Sequence, residues 1–280
     1  MSVYFCYNSN INSTYARLCS STTLLRRNLF MTIDEAIQKA NAGDVDTMVT
    51  LGDYYAQHDD YENALIWWRR AAEQGNLSAV HKAFLLDGMM LLASVKIHPD
   101  ETDDKTFQEI SRYAEILRQN TDVDIEPNFT DAKYDYAKSL YHRNEYGTLL
   151  SFIRDENQPR FLVIYALALF SFAPTLASGN DDASRYYQAA CDMVQAILQS
   201  GYTPGNHHNE QLLFIQAVAN YATFIRVGLF DKPDVPASYH ILASQTDKLT
   251  DSDAQAFLSQ ALSDYRVKKG LFGTSITYIG

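Results

Sequence analysis

Cysteine is scarce in this chain: 280 residues hold three, Cys6, Cys19 and Cys191, and no CxxC pair. An odd count without metal-like spacing excludes a disulfide framework and a structural zinc site, and it fits unpaired thiols in a reducing compartment. Long hydrophobic runs are missing too. The nearest approach to the roughly 18 to 20 apolar residues of a spanning helix is Phe161 to Ala173, so no membrane insertion is expected. Positive charge is in deficit, with 23 Lys and Arg against 34 Asp and Glu and a net charge of -11. Affinity for phosphate backbones rests on cationic neutralisation, which leaves nucleic acid an improbable partner.

Residues 1–30 lack acids altogether. They carry Arg17, Arg26 and Arg27 among many Ser, Thr and Asn, which leaves -14 for residues 31–280. No uninterrupted apolar core of a secretory signal is present, although acid-poor, Arg-bearing composition is also that of an organellar transit peptide. The reading adopted is a disordered or dispensable leader over 1–30, with Met31 as an alternative start. Immediately after Met31, Thr32 and Glu35 have the spacing of a capping box, so folding is expected to begin there.

Catalytic signatures are equally absent. There is no Gly-rich phosphate cradle, no GxSxG elbow and no HExxH helix. His207, His208 and Glu210 are the nearest thing to a metal constellation, but adjacent histidines in an Asn- and Gly-bearing loop point different ways. No catalytic residue, metal site or cofactor is expected.

What is present is a hydrophobic share of 46%, ample for a continuous core, and a helical repeat. From Val45 to Ser78 the chain reads VDTMVTLGDYYAQHDDYENALIWWRRAAEQGNLS. Met48, Leu51, Gly52 and Tyr55 fall at i, i+3, i+4 and i+7, one face of a helix. A polar turn, His58-Asp59-Asp60, follows, and then Ala64, Trp68 and Ala71 form the stripe of a second helix that stops at Gly75-Asn76. Gly52 inside a helix costs about 1 kcal/mol relative to Ala. Its expected reason is close approach of the two helices, with Trp68 and Tyr55 filling the volume around it.

Leu51-Gly52, Tyr55, Ala64, Trp68 and Ala71 resemble the tetratricopeptide signature at its spacing. Ala71-Ala72-Glu73-Gln74-Gly75-Asn76 followed by Ala79 is similar to the end of a Sel1-like repeat. The resemblance implies an all-α solenoid of antiparallel helix pairs, about five pairs plus a C-terminal capping helix. Weaker copies are placed at Ala79–Val95 with Phe107–Gln119, at Asp131–Arg143 with Glu145–Arg154, and after Pro159, where Ala183, Tyr187 and Ala190 repeat the stripe of Ala64, Trp68 and Ala71. In the third copy Tyr136-Ala137 replaces Leu-Gly and Leu149 replaces the small Ala. A fifth pair is Asn209–Val227 with Pro236–Leu249. Asp251–Lys268 is the expected closing helix, started by a Ser252/Gln255 capping box, and the domain is drawn over 31–270 with an irregular tail over 271–280.

Such solenoids hold other proteins on the concave face lined by first helices. The resemblance therefore implies a cytoplasmic adaptor or scaffold and no enzyme. A small-molecule enzyme or sensor between the central pairs, and an obligate structural subunit of a larger assembly, are the alternatives. In family members that grip acidic C-terminal peptides, Lys, Asn and Arg form a carboxylate clamp. Those positions land here on Val49, Asp53, Phe84, Asp131 and Asp135, none of them a cation. Asp87 is expected on the same negative face, which implies a basic or neutral protein or peptide as partner. Trp67, beside the core Trp68, is a further candidate for partner contact.

Overall fold

The computed structural model describes residues 31–100, 104–175, 181–207, 209–270 and 273–280. The leader 1–30, Cys6, Cys19 and His208 lie outside them. Most of the described chain is α-helix, and neighbouring helices pack on one another. Where a single domain over 31–270 was expected, two compact units are found. The first falls within Met1–Leu91 and Asp103–Ala132, the second within Leu92–Thr102 and Lys133–Gly280.

The first unit begins with α1 (Ile33–Asn41), whose capping box has both halves in place: Thr32 accepts from Glu35 N-H and Glu35 accepts from Thr32 N-H. Next come α2 (Val45–Gln57) and α3 (Tyr61–Glu73), each started by an aspartate, Asp44 and Asp60, that accepts the backbone N-H three places on. Between them Asp59 sits at φ +60°, a left-handed conformation that Asp and Asn tolerate better than most residues. Gly75, at φ +82°, ends α3. Ala64, Trp68 and Ala71 are all buried, as are Met48, Leu51 and Gly52, while Tyr55 is half-buried. A Cβ on residue 52 would lie 2.3 Å from Trp68 Cδ1, so glycine is there because the indole of α3 occupies the space any side chain would need.

Further helices are α4 (Leu77–Ile97), α5 (Asp104–Asn120) and α6 (Glu126–His142). The boundary between the units falls inside α4 and inside α6. By length and composition alone α4 is apolar enough to cross a membrane, although Lys82 and Asp87 interrupt its apolar run. Within the first unit both of those charges are paired, Lys82 to Asp53 of α2 and Asp87 to Arg69 of α3.

In the second unit α6 turns into α7 (Tyr146–Phe152) through Asn144 at φ +61°, and the turn repeats that of the first pair. Tyr61 OH donates to Asp59 Oδ1 at 2.9 Å, and Tyr146 OH donates to Asn144 Oδ1 at 2.6 Å. The register that set Ala137 against Gly52 and Leu149 against Ala64 is thus the register of the turns as well. α8 (Pro159–Phe172) is buried on nearly all sides and packs against α7, α9 (Asp181–Gln199) and α10 (Glu210–Val227). Then come α11 (Val235–Ala243) and α12 (Ser252–Ser263).

The C-terminus departs from expectation. The closing helix stops at Ser263 rather than Lys268, and its cap is Asp251, which accepts from Asp253 and Ala254 N-H; Gln255 donates to Leu249 O instead of completing a box. Beyond it β1 (Tyr265–Gly270) pairs antiparallel with β2 (Gly273–Tyr278), placed from sequence partly in a helix and partly in an irregular tail. The alternation of Tyr265 and Val267 against Tyr278 and Ile276 carries a period of two that a helical reading passes over.

Candidate functional site

The positions carried over from the clamp do not form an open acidic face. Phe84 is buried at 2% exposure. Asp53, on α2, accepts from Lys82 Nζ of α4 at 2.5 and 2.7 Å and from Trp68 Nε1 of α3 at 3.1 Å. One carboxylate thereby joins three successive helices. Val49 and Asp131 are half-buried. Trp67 is buried as well, with the Arg70 guanidinium 4.5 Å from its ring centre, so it offers no free anchor.

Asp87, expected on the same surface, is 1% exposed and pairs with Arg69 Nη2 at 2.8 Å; its Oδ2 has no hydrogen-bond partner. Burial pushes its carboxyl up to about 6, and Arg69 only partly offsets that. Tyr113 is fully buried near this pair, its hydroxyl unpartnered, and burial lifts it to about 12.

Asp135 belongs to the second unit. At 2% exposure it accepts from Lys138 Nζ at 2.7 Å and from His207 Nε2 at 2.9 Å. Burial pushes its carboxyl up, but the lysine and the imidazole outweigh burial and hold it below the ordinary aspartate value. Lys138 is itself 1% exposed and burial lowers its ammonium, with Asp135 opposing. The Tyr134 ring lies beside this group, 5.0 Å from Lys138 Nζ and edge-on to His207 at 5.6 Å. Its hydroxyl is buried without a partner, and burial lifts it well above its usual range.

His207 is thereby committed to a carboxylate of α6, while Glu210 turns to Tyr202 OH and accepts from Gly205 N-H at 2.8 Å. Cys191 is buried and its thiol pushed up to about 12, far from the thiolate a nucleophile needs. Sequence reasoning missed the cations Lys82, Arg69 and Lys138. The signal was available for Lys138, three places after Asp135 on one helix, but not for Arg69 and Lys82, whose partners lie on other helices. No protein-family model, curated protein or solved structure matches the chain. The helix-pair resemblance therefore rests on residues 45–78 and their geometry.

Proposed function

We propose that this is a helical-repeat protein of tetratricopeptide and Sel1-like type that acts by holding another protein. The observation that carries the reading is the contact between Gly52 and Trp68: two antiparallel helices approach at a glycine of the repeat, and the aromatic of the repeat fills the gap. Such pairs stack through their small residues and leave the concave face lined by first helices for binding. The turn shared by Asp59 and Asn144 supports a second copy.

The exposed surface of the first unit is rich in acids, among them Asp34, Asp46, Glu62, Glu73, Asp122 and Asp124, and these favour a basic or neutral partner. That charge lies outside the clamp positions, since Asp53 and Asp87 are paired inside. Val49 and Asp46 on α2 are the residues through which the face is best tested. The full chain and an Asp46→Lys/Val49→Glu variant are used in parallel as bait in the native cell, with captured proteins quantified. A protein retained by the unaltered chain and depleted by the variant is expected; identical captures would contradict the reading.

A further inference from the structure

The hairpin of β1 and β2 is a basic element on an acidic chain. From Tyr265 to Gly280 there are Arg266, Lys268 and Lys269 and no acid, against a net charge of -11 for the whole. Its base is fixed: Tyr265 OH meets Ser238 Oγ at 2.8 Å, the Tyr265 ring lies 5.3 Å from that of Tyr278, and the Arg226 guanidinium stacks 3.7 Å over Tyr278. Helix α11 flanks β2 and reaches the start of β1 through Ser238 and Tyr239 on Tyr265, α12 leads into β1, and Arg266 to Lys269 are all exposed.

Register decides which backbone groups of β1 point outward. Ile279 N-H donates to Asp264 O at 2.8 Å, and 264 and 279 stand opposite one another in the register that pairs Tyr265 with Tyr278. Hydrogen-bonded pairs alternate along an antiparallel ladder, so Arg266 and Lys268 bond inward to β2 while Val267 and Lys269 present N-H and C=O to the outside. Among the described residues no turn, loop or cap bond engages either of those two N-H groups. The same alternation puts Tyr265 and Val267 on the face toward Tyr278 and the helices, and Arg266 and Lys268 together on the opposite, solvent face.

We propose that the outer edge of β1 accepts an extended segment of a partner protein as a third strand, and that this segment carries Asp or Glu at alternate positions. Strand addition supplies main-chain bonds to Val267 and Lys269, and the alternate acids fall beside Arg266 and Lys268. Cations on an edge repel basic strands and generic self-pairing, and they are complementary to an acidic one. A second copy of this chain is disfavoured as occupant, since pairing two β1 edges sets Arg266 and Lys268 against themselves. This surface uses none of the residues of the helix-pair reading.

The test uses the full chain and a fluorescent peptide about eight residues long that alternates Glu and Val. Fluorescence anisotropy should report binding that weakens as salt rises, with the Lys/Val counterpart peptide unbound. Arg266→Glu/Lys268→Glu should cost at least about tenfold in Kd. Val267→Pro should do the same by deleting an outward N-H while leaving the ladder to β2 intact, and Val267→Ala should bind as the unaltered chain does. If proline disturbs the hairpin, the charge-reversal variant alone decides. Equal binding by the charge-reversal variant, no binding of the acidic peptide, tighter binding of single-stranded RNA than of the peptide, or a solution dimer dissolved by Val267→Pro would each overturn the proposal.

Discussion

The two units of this chain contain the same spacing of Ala, aromatic and Ala and use it differently. In the first, Trp68 turns back onto its own pair, against Gly52, with its indole N-H on Asp53. In the second, Tyr187 is half-buried and leans on Phe224 of α10, 4.9 Å between ring centres, so it joins α9 to α10. The buried carboxylates differ in the same way. Asp87 has one cation and an empty oxygen, and burial wins; Asp135 has a lysine and an imidazole, and the two donors win. What a buried acid does in a helical protein depends less on its depth than on how many donors reach it.

The largest effect should come from Asp135→Ala, which removes from the interior the carboxylate that Lys138 and His207 share. A loss of about 3–5 kcal/mol in urea unfolding is expected, and a loss no greater than that of a surface substitution would show that Lys138 is neutral or held by other acceptors. Next is Gly52→Leu. The new side chain would begin 2.3 Å from the indole, and a loss of about 3 kcal/mol is expected, at the top of the range for overpacking. The equivalent Ala137→Leu in the second unit shares the register but lacks a Trp68, and a smaller loss there would sharpen the contrast.

Asp87 provides a test by pH. Its carboxyl in the folded chain titrates near 6 against an ordinary 3.8, so the stability it contributes is fully present below about 3.8 and is lost as pH rises through 6. The difference corresponds to about 3 kcal/mol at most. Relative to Asp87→Asn, the unaltered chain should therefore gain stability as pH falls from neutrality toward 4. A difference that moves the other way would mean that Arg69 holds the carboxylate ionised. The smallest effect is expected of Tyr187→Ala, about 1–2 kcal/mol for a half-buried ring; a loss as large as that from Trp68→Ala would erase the distinction between the two stripes.

Much of the helical architecture was legible because its signals are local. The capping box at Thr32 and the turn at Asp59 lie within a few residues of the partners that give them meaning, and Gly52 and Trp68 lie on successive helices joined by one short turn. The division into two units was not, since it falls inside continuous helices that no Pro or Gly interrupts at the boundary. The hairpin was missed because Asp264, Arg266, Lys268 and Lys269 read equally well as the polar face of a capping helix. The supposed acidic groove failed for a different reason: a sequence shows that Asp53 and Asp87 are acids, but only the packing of α2, α3 and α4 shows that Lys82 and Arg69 neutralise them.

The central claim is that the first helices hold a protein partner. Amide hydrogen exchange of the full chain, with and without the protein that capture identifies, tests it most directly. The account predicts slowed exchange in the peptide covering Val45–Gln57, the helix that presents Asp46 and Val49. Exchange unchanged across that helix, with protection confined to Tyr265–Tyr278 or absent throughout, would contradict it.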